Sequence, residues 1–185
     1  MDLPEDKGTY VLIASVAQMK RLEIGSLGRF DIIPGFYAYV GSAFGAGGLR
    51  ARIGHHLELS AAPHWHIDYF LGIAEPIEVW FSTASQKLER HWAGLLEKAP
   101  NSRIPLVRFG SSDYHCSRSN HLFYTRGRPS FRWLGGKRAA RHRYPDLSRS
   151  WFWVREQSQF EGPFFGPSAA AGGDPIRRGS SGPSR

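Results

Sequence analysis

Residues 39–56, YVGSAFGAGGLRARIGHH, impose a local order of strand, glycine loop and helix. The strand-like YV runs into a loop containing Gly41, Gly45, Gly47 and Gly48, which opens directly onto Arg50, Arg52, His55 and His56. Such a loop suits a phosphate, because free amide N–H groups point outward at a helix N-terminus and the helix dipole favours an anion. The glycines do not follow the G-x-x-x-x-G-K-[ST] order, nor a G-x-G-x-x-G fingerprint with a distant acidic ribose ligand. A simple connection and a phosphate site therefore both stand. On the helix predicted over about residues 48–59, Leu49, Ile53 and Leu57 recur every four residues and define a core stripe. His56 falls inside that stripe and Arg52 beside it, so the pair shares one face directed toward the fold. A half-buried arginine needs an anionic partner, either a structural carboxylate or a phosphate at the mouth of the loop.

The 185 residues suffice for one well-buried domain plus a tail. The apolar run VLIASVA (11–17) is too short to cross a bilayer. The acidic, Pro-containing start lacks a signal pattern. The single cysteine, Cys116, excludes an internal disulfide framework. Together these features predict a soluble cytoplasmic protein. The formal charge of +8 is uneven: residues 1–125 carry 12 Lys and Arg against 12 Asp and Glu, residues 126–185 carry 12 against 4. The surplus in the last third fits attraction to polyanions. The predicted organisation is a domain over 1–128 followed by a basic Gly/Pro/Arg-rich tail over 129–185. That tail is expected to be largely disordered, since its composition buries too little apolar surface to offset ordering entropy. The aromatic run SRSWFWVREQ (148–157) is the exception within it.

Strands are predicted at TYVLIASVA (9–17), GFYAYVGS (35–42), PIEVWFS (76–82), PLVRFGS (105–111) and HLFYT (121–125), with a hairpin over 20–35 turning near residues 26–28. Tyr37 and Tyr39 share one strand face. Thr83 and Gln86 suggest a capping box for a helix over about 84–98. On that helix Leu88, Trp92, Leu95 and Leu96 form the apolar stripe, and Glu89 sits on its edge. A carboxylate there serves as an ion-pair partner or as an oxygen ligand for a hard cation. Asp113, His115, Cys116 and His121 match no standard zinc spacing. Ser111 and Ser112 lack the G-x-S-x-G elbow of a hydrolase.

GTY (8–10) and YVG (39–41) resemble the two halves of the GIY-YIG nuclease signature. Arg52 and His56 fit that family's R-x-x-x-H helix, and Glu89 fits its metal-binding glutamate. YVGSA (39–43), WHIDY (65–69), FGSSD (109–113) and HLF (121–123) are similar to the runs of a less characterised branch of the superfamily. The resemblance covers roughly residues 8–125. It departs from the pattern in three places: the long gap between Tyr10 and Tyr39, Tyr114 where the branch has a cysteine, and no counterpart of the asparagine that follows the glutamate.

The resemblance implies an α+β fold, with a small central, mainly antiparallel sheet flanked by helices. It also implies hydrolysis of nucleic-acid phosphodiester bonds, DNA before RNA, with Mg²⁺ or Mn²⁺. In that reading Tyr10, Tyr39, Arg52, His56 and Glu89 are catalytic, and Glu89 holds the metal. Gly41, Ser42, Gly47, Gly48, Arg50, His66, Ser112 and His121 contact nucleic acid. Arg52 offers a planar fork to the non-bridging oxygens. Tyr10 or His56 is the base for an attacking water, and cations are expected to lower the phenol's pKa. The glycine loop then frames a polymer's phosphate. The alternative is a non-catalytic nucleic-acid-binding module that retains the nuclease fold.

Overall fold

A computed structural model describes residues 3–58, 63–110, 120–135 and 140–143. The first strand, β1 (Gly8–Val16), is buried along nearly its whole length. Its β-branched and aromatic side chains alternate, so one strand feeds two cores. Val11 and Ile13 face one side, while Tyr10, Leu12, Ala14 and Val16 face the other. Full burial of each large aliphatic contributes about 1.5–3 kcal/mol, which makes β1 the axis of the molecule. The hairpin β2 (Lys20–Ile24) and β3 (Gly28–Ile32) forms a separate two-stranded sheet, turning through a 3-10 turn at Gly25–Leu27. Then come β4 (Gly35–Ala43), α1 (Gly48–Leu57), α2 (His66–Leu71), β5 (Glu75–Ser82) and α3 (Glu89–Glu97). The chain ends its described course in β6 (Leu122–Thr125), a 3-10 turn at Phe131–Leu134, and β7 (Ala140–Arg143).

The main sheet has the order β6-β4-β1-β5-β7, and every neighbouring pair is antiparallel. The fold is therefore α+β with a mainly antiparallel sheet. On one face α1 and α2 cover Tyr10, Leu12 and Tyr37; on the other, α3 and the Phe131–Leu134 turn cover Val11, Ile13 and Trp80. Among the described residues, no helix is long and apolar enough to cross a membrane.

Four expectations are corrected here. The third helix starts at Glu89, not near residue 84, because the Leu88 N–H donates to the buried Thr9 Oγ1 at 3.0 Å and fixes the entry from outside the segment. The Thr83–Gln86 capping box does not form. Residues 105–110 are turns, not strand: Arg108 and Gly110 have φ of 69° and 84°, in the left-handed region incompatible with a ladder. Leu59 and Ser111 lie outside the described residues.

The fourth concerns the boundary at residue 128. Seven Lys and Arg and no Asp or Glu fall in residues 126–143, so that segment holds most of the charge surplus. Its described part packs on the domain. Leu134 is buried, Phe131 stacks edge-on to Trp80 at 5.6 Å, and β7 pairs with β5. The electrostatic reason is Glu78, buried on β5. It accepts from Trp80 Nε1 at 2.8 Å and pairs with Arg128 at 2.7 Å and Arg141 at 3.2 Å. A buried carboxylate needs such partners, and losing one exposes its desolvation cost. Truncation after residue 128 removes Leu134, β7 and Arg141 together. We expect the shortened chain to be about 2–4 kcal/mol less stable than the chain truncated after residue 143. Equal melting curves for both truncations would contradict this boundary. The aromatic run 148–157 lies outside the described residues.

Candidate active site

The site begins with the pairing of β1 and β4. Their register sets Tyr10 opposite Gly41 and Leu12 opposite Tyr39. A Cβ at residue 41 would collide with the Tyr10 phenol. Glycine at that position is what lets the phenol lie across β4. Tyr10 and Tyr39 stand with ring centroids 6.3 Å apart. From α1, His56 enters the same space: its Nε2 lies 2.9 Å from Tyr10 Oη, and its ring meets Tyr39 edge-on at 6.2 Å. His56 is 3 % exposed and Tyr10 is 1 % exposed, so this contact is screened from bulk solvent.

Arg52 lies one turn before His56 on α1. Instead of a carboxylate, its guanidinium stacks over the Trp65 indole at 4.6 Å. The same indole meets His56 edge-on at 5.4 Å. Stacking holds the fork in place while its N–H edges stay available. Among the described residues Arg52 forms no ion pair. It lines a cleft of about 250 Å³ with Ala43, Gly45, His55 and Trp65.

Glu89 reaches the cluster from the start of α3. Its Oε1 is 3.0 Å from His121 Nδ1, and the Ser42 hydroxyl also donates to it. His121 Nδ1 is also 3.1 Å from the Val40 carbonyl oxygen, and the His121 ring lies 6.5 Å from that of Tyr39. Burial pushes the Glu89 carboxyl up, but the hydrogen bonds from His121 and Ser42 and the charges of His121 and Lys87 outweigh it, and the net direction is down. Burial likewise pushes His121 down, but the Glu89 carboxylate and the Val40 carbonyl reverse that, and the net direction is up. Glu89 is thus ionised, with its side chain 26 % exposed. A single carboxylate fits a magnesium-type cation, which takes one or two protein carboxylates and fills its shell with water and substrate phosphate. Among the described residues no group of three or more His, Cys, Asp and Glu is placed to hold a metal.

The tyrosines depart from one expectation. Burial, then Tyr39, with Glu89 and Asp68, pushes the Tyr10 phenol well above its ordinary range, and Arg52 opposes this only in part. Burial also raises Tyr39, with Glu89 and Asp68 adding to it. Arg52 lowers the Tyr10 phenol as expected, but burial outweighs it, and without a metal no phenolate stands ready at neutral pH.

The glycine loop is also corrected. Two amides expected to face a phosphate are occupied by the N-terminal segment: Leu49 N–H donates to Asp6 O at 2.9 Å and Arg50 N–H to Pro4 O at 3.0 Å, while Ala51 N–H donates within α1 to Gly47 O at 3.1 Å. A Cβ at Gly48 would collide with the Glu5 and Asp6 carbonyl oxygens, so Gly48 admits a passing chain. Gly47, with φ 76°, makes the turn into α1. Arg50 belongs to the same contact, donating to Leu3 O at 2.9 Å and pairing with Glu5 at 2.7 Å. His66 accepts from the Gly110 N–H at 3.1 Å and fixes that turn. Gly47, Gly48, Arg50 and His66 are thus structural supports, and Ser112 lies outside the described residues, as do Asp113, His115 and Cys116.

Sequence reasoning missed Asp68. Its Oδ1 is 2.7 Å from His56 Nδ1, and its Oδ2 accepts from the His64 and Trp65 amides at 3.1 and 2.8 Å. The signal was present in the WHIDY run, but periodicity cannot announce a partner twelve residues beyond α1's histidine.

A family model described as "Domain of unknown function DUF123" matches residues 9–134. No curated protein and no solved structure matches the chain.

Proposed function

The chain belongs to the DUF123 family, and from that premise we propose that it is a divalent-metal-dependent endonuclease hydrolysing phosphodiester bonds of nucleic acid, DNA in preference to RNA. The observation that carries this reading is convergence. Tyr10, Tyr39, Arg52, His56 and Glu89 come from four elements separated by up to 79 residues, yet unbroken contacts through Trp65 and His121 join them. Those are the residues the GIY-YIG resemblance marks, and they carry the groups that phosphodiester hydrolysis needs.

In this reading the scissile phosphate enters beside the Arg52 cleft. The Arg52 fork donates to its non-bridging oxygens, and that interaction strengthens as charge accumulates in the transition state. Tyr10 and His56 handle the proton of the attacking water, and Tyr39 excludes bulk solvent. Glu89 would hold the cation, which supplies charge neutralisation at the phosphate when bound. The basic segment 126–143 supplies the long-range attraction. Arg128, Ser130, Arg132 and Arg141 line a second cleft of about 550 Å³ around Glu78.

The alternative, a non-catalytic binding module, is favoured by one observation: Glu89 is already engaged by His121 at Oε1 and by Ser42. Arg52→Lys separates the readings. In the nuclease it lowers turnover about 10²–10³-fold, the scale of one lost transition-state donor, with a smaller change in substrate binding. Equal turnover in the lysine variant would make Arg52 a general electrostatic anchor. For both readings Arg132→Ala reduces the salt dependence of DNA binding by about 0.9 in log–log slope per lost phosphate contact. An unchanged slope would remove the basic segment from the interface.

A further inference from the structure

With a neutral His56, the hydrogen-bond chain behind Tyr10 has one polarity. Burial pushes the Asp68 carboxyl up, but the hydrogen bonds from His56 and from the Trp65 and His64 amides outweigh it, and the net direction is down. Asp68 is thus a carboxylate, and a carboxylate only accepts. Its 2.7 Å contact with His56 therefore requires a proton on Nδ1. In the neutral imidazole Nε2 then carries the lone pair, and the 2.9 Å contact is donated by the Tyr10 hydroxyl.

We infer that Asp68 is a positioning residue that locks His56 in the Nδ1–H tautomer, so that His56 Nε2 receives the Tyr10 proton as Tyr10 takes one from the attacking water. The water in this step rests on the nuclease reading; the tautomer does not. The step balances. The water oxygen forms the new P–O bond, its proton passes to Tyr10 Oη, and the Tyr10 proton passes to His56 Nε2. The P–O bond to the leaving alkoxide breaks, the alkoxide takes a proton from solvent, and the imidazolium returns one to solvent. No free phenolate forms, which suits a phenol enclosed as Tyr10 is. Asp68 stabilises the imidazolium as the acid of a Ser-His-Asp triad does. The groups facing His56 are Tyr10 from β1, Tyr39 from β4, His55 beside it on α1, and Trp65 and Asp68 at α2, with Arg52 one turn away. A purely structural Asp68 would need only Oδ2, which accepts from the two amides; Oδ1 is given to His56 alone.

The test is the nitrogen spectrum of ¹⁵N-histidine-labelled full-length protein at neutral pH. The expected His56 signal has a protonated Nδ1 and a bare Nε2; a protonated Nε2, with or without a proton on Nδ1, would overturn the inference without any variant. In Asp68→Asn the two amides still demand an acceptor, so the side-chain carbonyl stays toward them and the NH₂ turns to His56. The tautomer then reverses, and turnover on DNA falls about 10²–10⁴-fold with KM little changed, the upper end being the loss seen when a triad Asp becomes Asn. Wild-type turnover in a folded Asp68→Asn protein also overturns the inference. If wild-type protein cleaves nothing, the nuclease reading fails, and the wild-type spectrum still decides the role of Asp68.

Discussion

If the chain is the proposed nuclease, Tyr10→Phe reduces cleavage by about 10³-fold, within the range for a positioned proton-transfer group, while the protein remains folded. The substitution removes one oxygen and keeps the ring that packs against Tyr39 and His56. It leaves His56 Nε2 buried without its partner, at a cost of about 1–3 kcal/mol. Melting temperature therefore falls by several degrees even as the fold persists. Activity and stability must be read together. A large loss of turnover with a small loss of stability assigns the phenol to the chemistry, whereas an unaltered rate assigns it to the core.

Glu89→Gln is the second large effect. The amide keeps the shape and can still accept from His121 Nδ1, so the start of α3 is preserved. It binds magnesium-type cations poorly, because those select anionic oxygen. Under the proposed function, charge stabilisation of several kcal/mol would disappear with the cation, which at 1.36 kcal/mol per decade is a loss of about 10²–10⁴ in rate. Added Mg²⁺ no longer accelerates what remains. If Glu89 serves only to pair with His121, the variant retains the metal response of the parent chain.

Much of the scaffold was legible because it rests on alternation and turn chemistry. β1, β4, β5, β6 and the β2–β3 hairpin follow from runs whose period a reader can count. Arg52 and His56 were placed on one helical face by spacing alone. The features that escaped depend on partners distant in sequence. Thr9, seventy-nine residues away, decides where α3 begins by accepting from Leu88 N–H. The Pro4 and Asp6 carbonyls occupy the Arg50 and Leu49 amides of α1, so a loop with the look of a phosphate cradle is closed by the chain's own carbonyls. The ARHR of β7 reads as tail because its charge conceals its register; only Glu78, buried on the neighbouring strand, makes an arginine there favourable. Asp68 lay within a noted motif, yet its chemistry appears only when α2 packs against α1.

The most direct measurement is cleavage of single- and double-stranded oligonucleotides, DNA and RNA, by the full chain in Mg²⁺, in Mn²⁺ and in EDTA. The proposed function predicts cut products with either metal, none in EDTA, DNA cut before RNA, and losses of about 10³-fold for Tyr10→Phe. Salt-sensitive binding of the same oligonucleotides with no product under any metal condition would contradict it, and would make the chain a non-catalytic nucleic-acid-binding module.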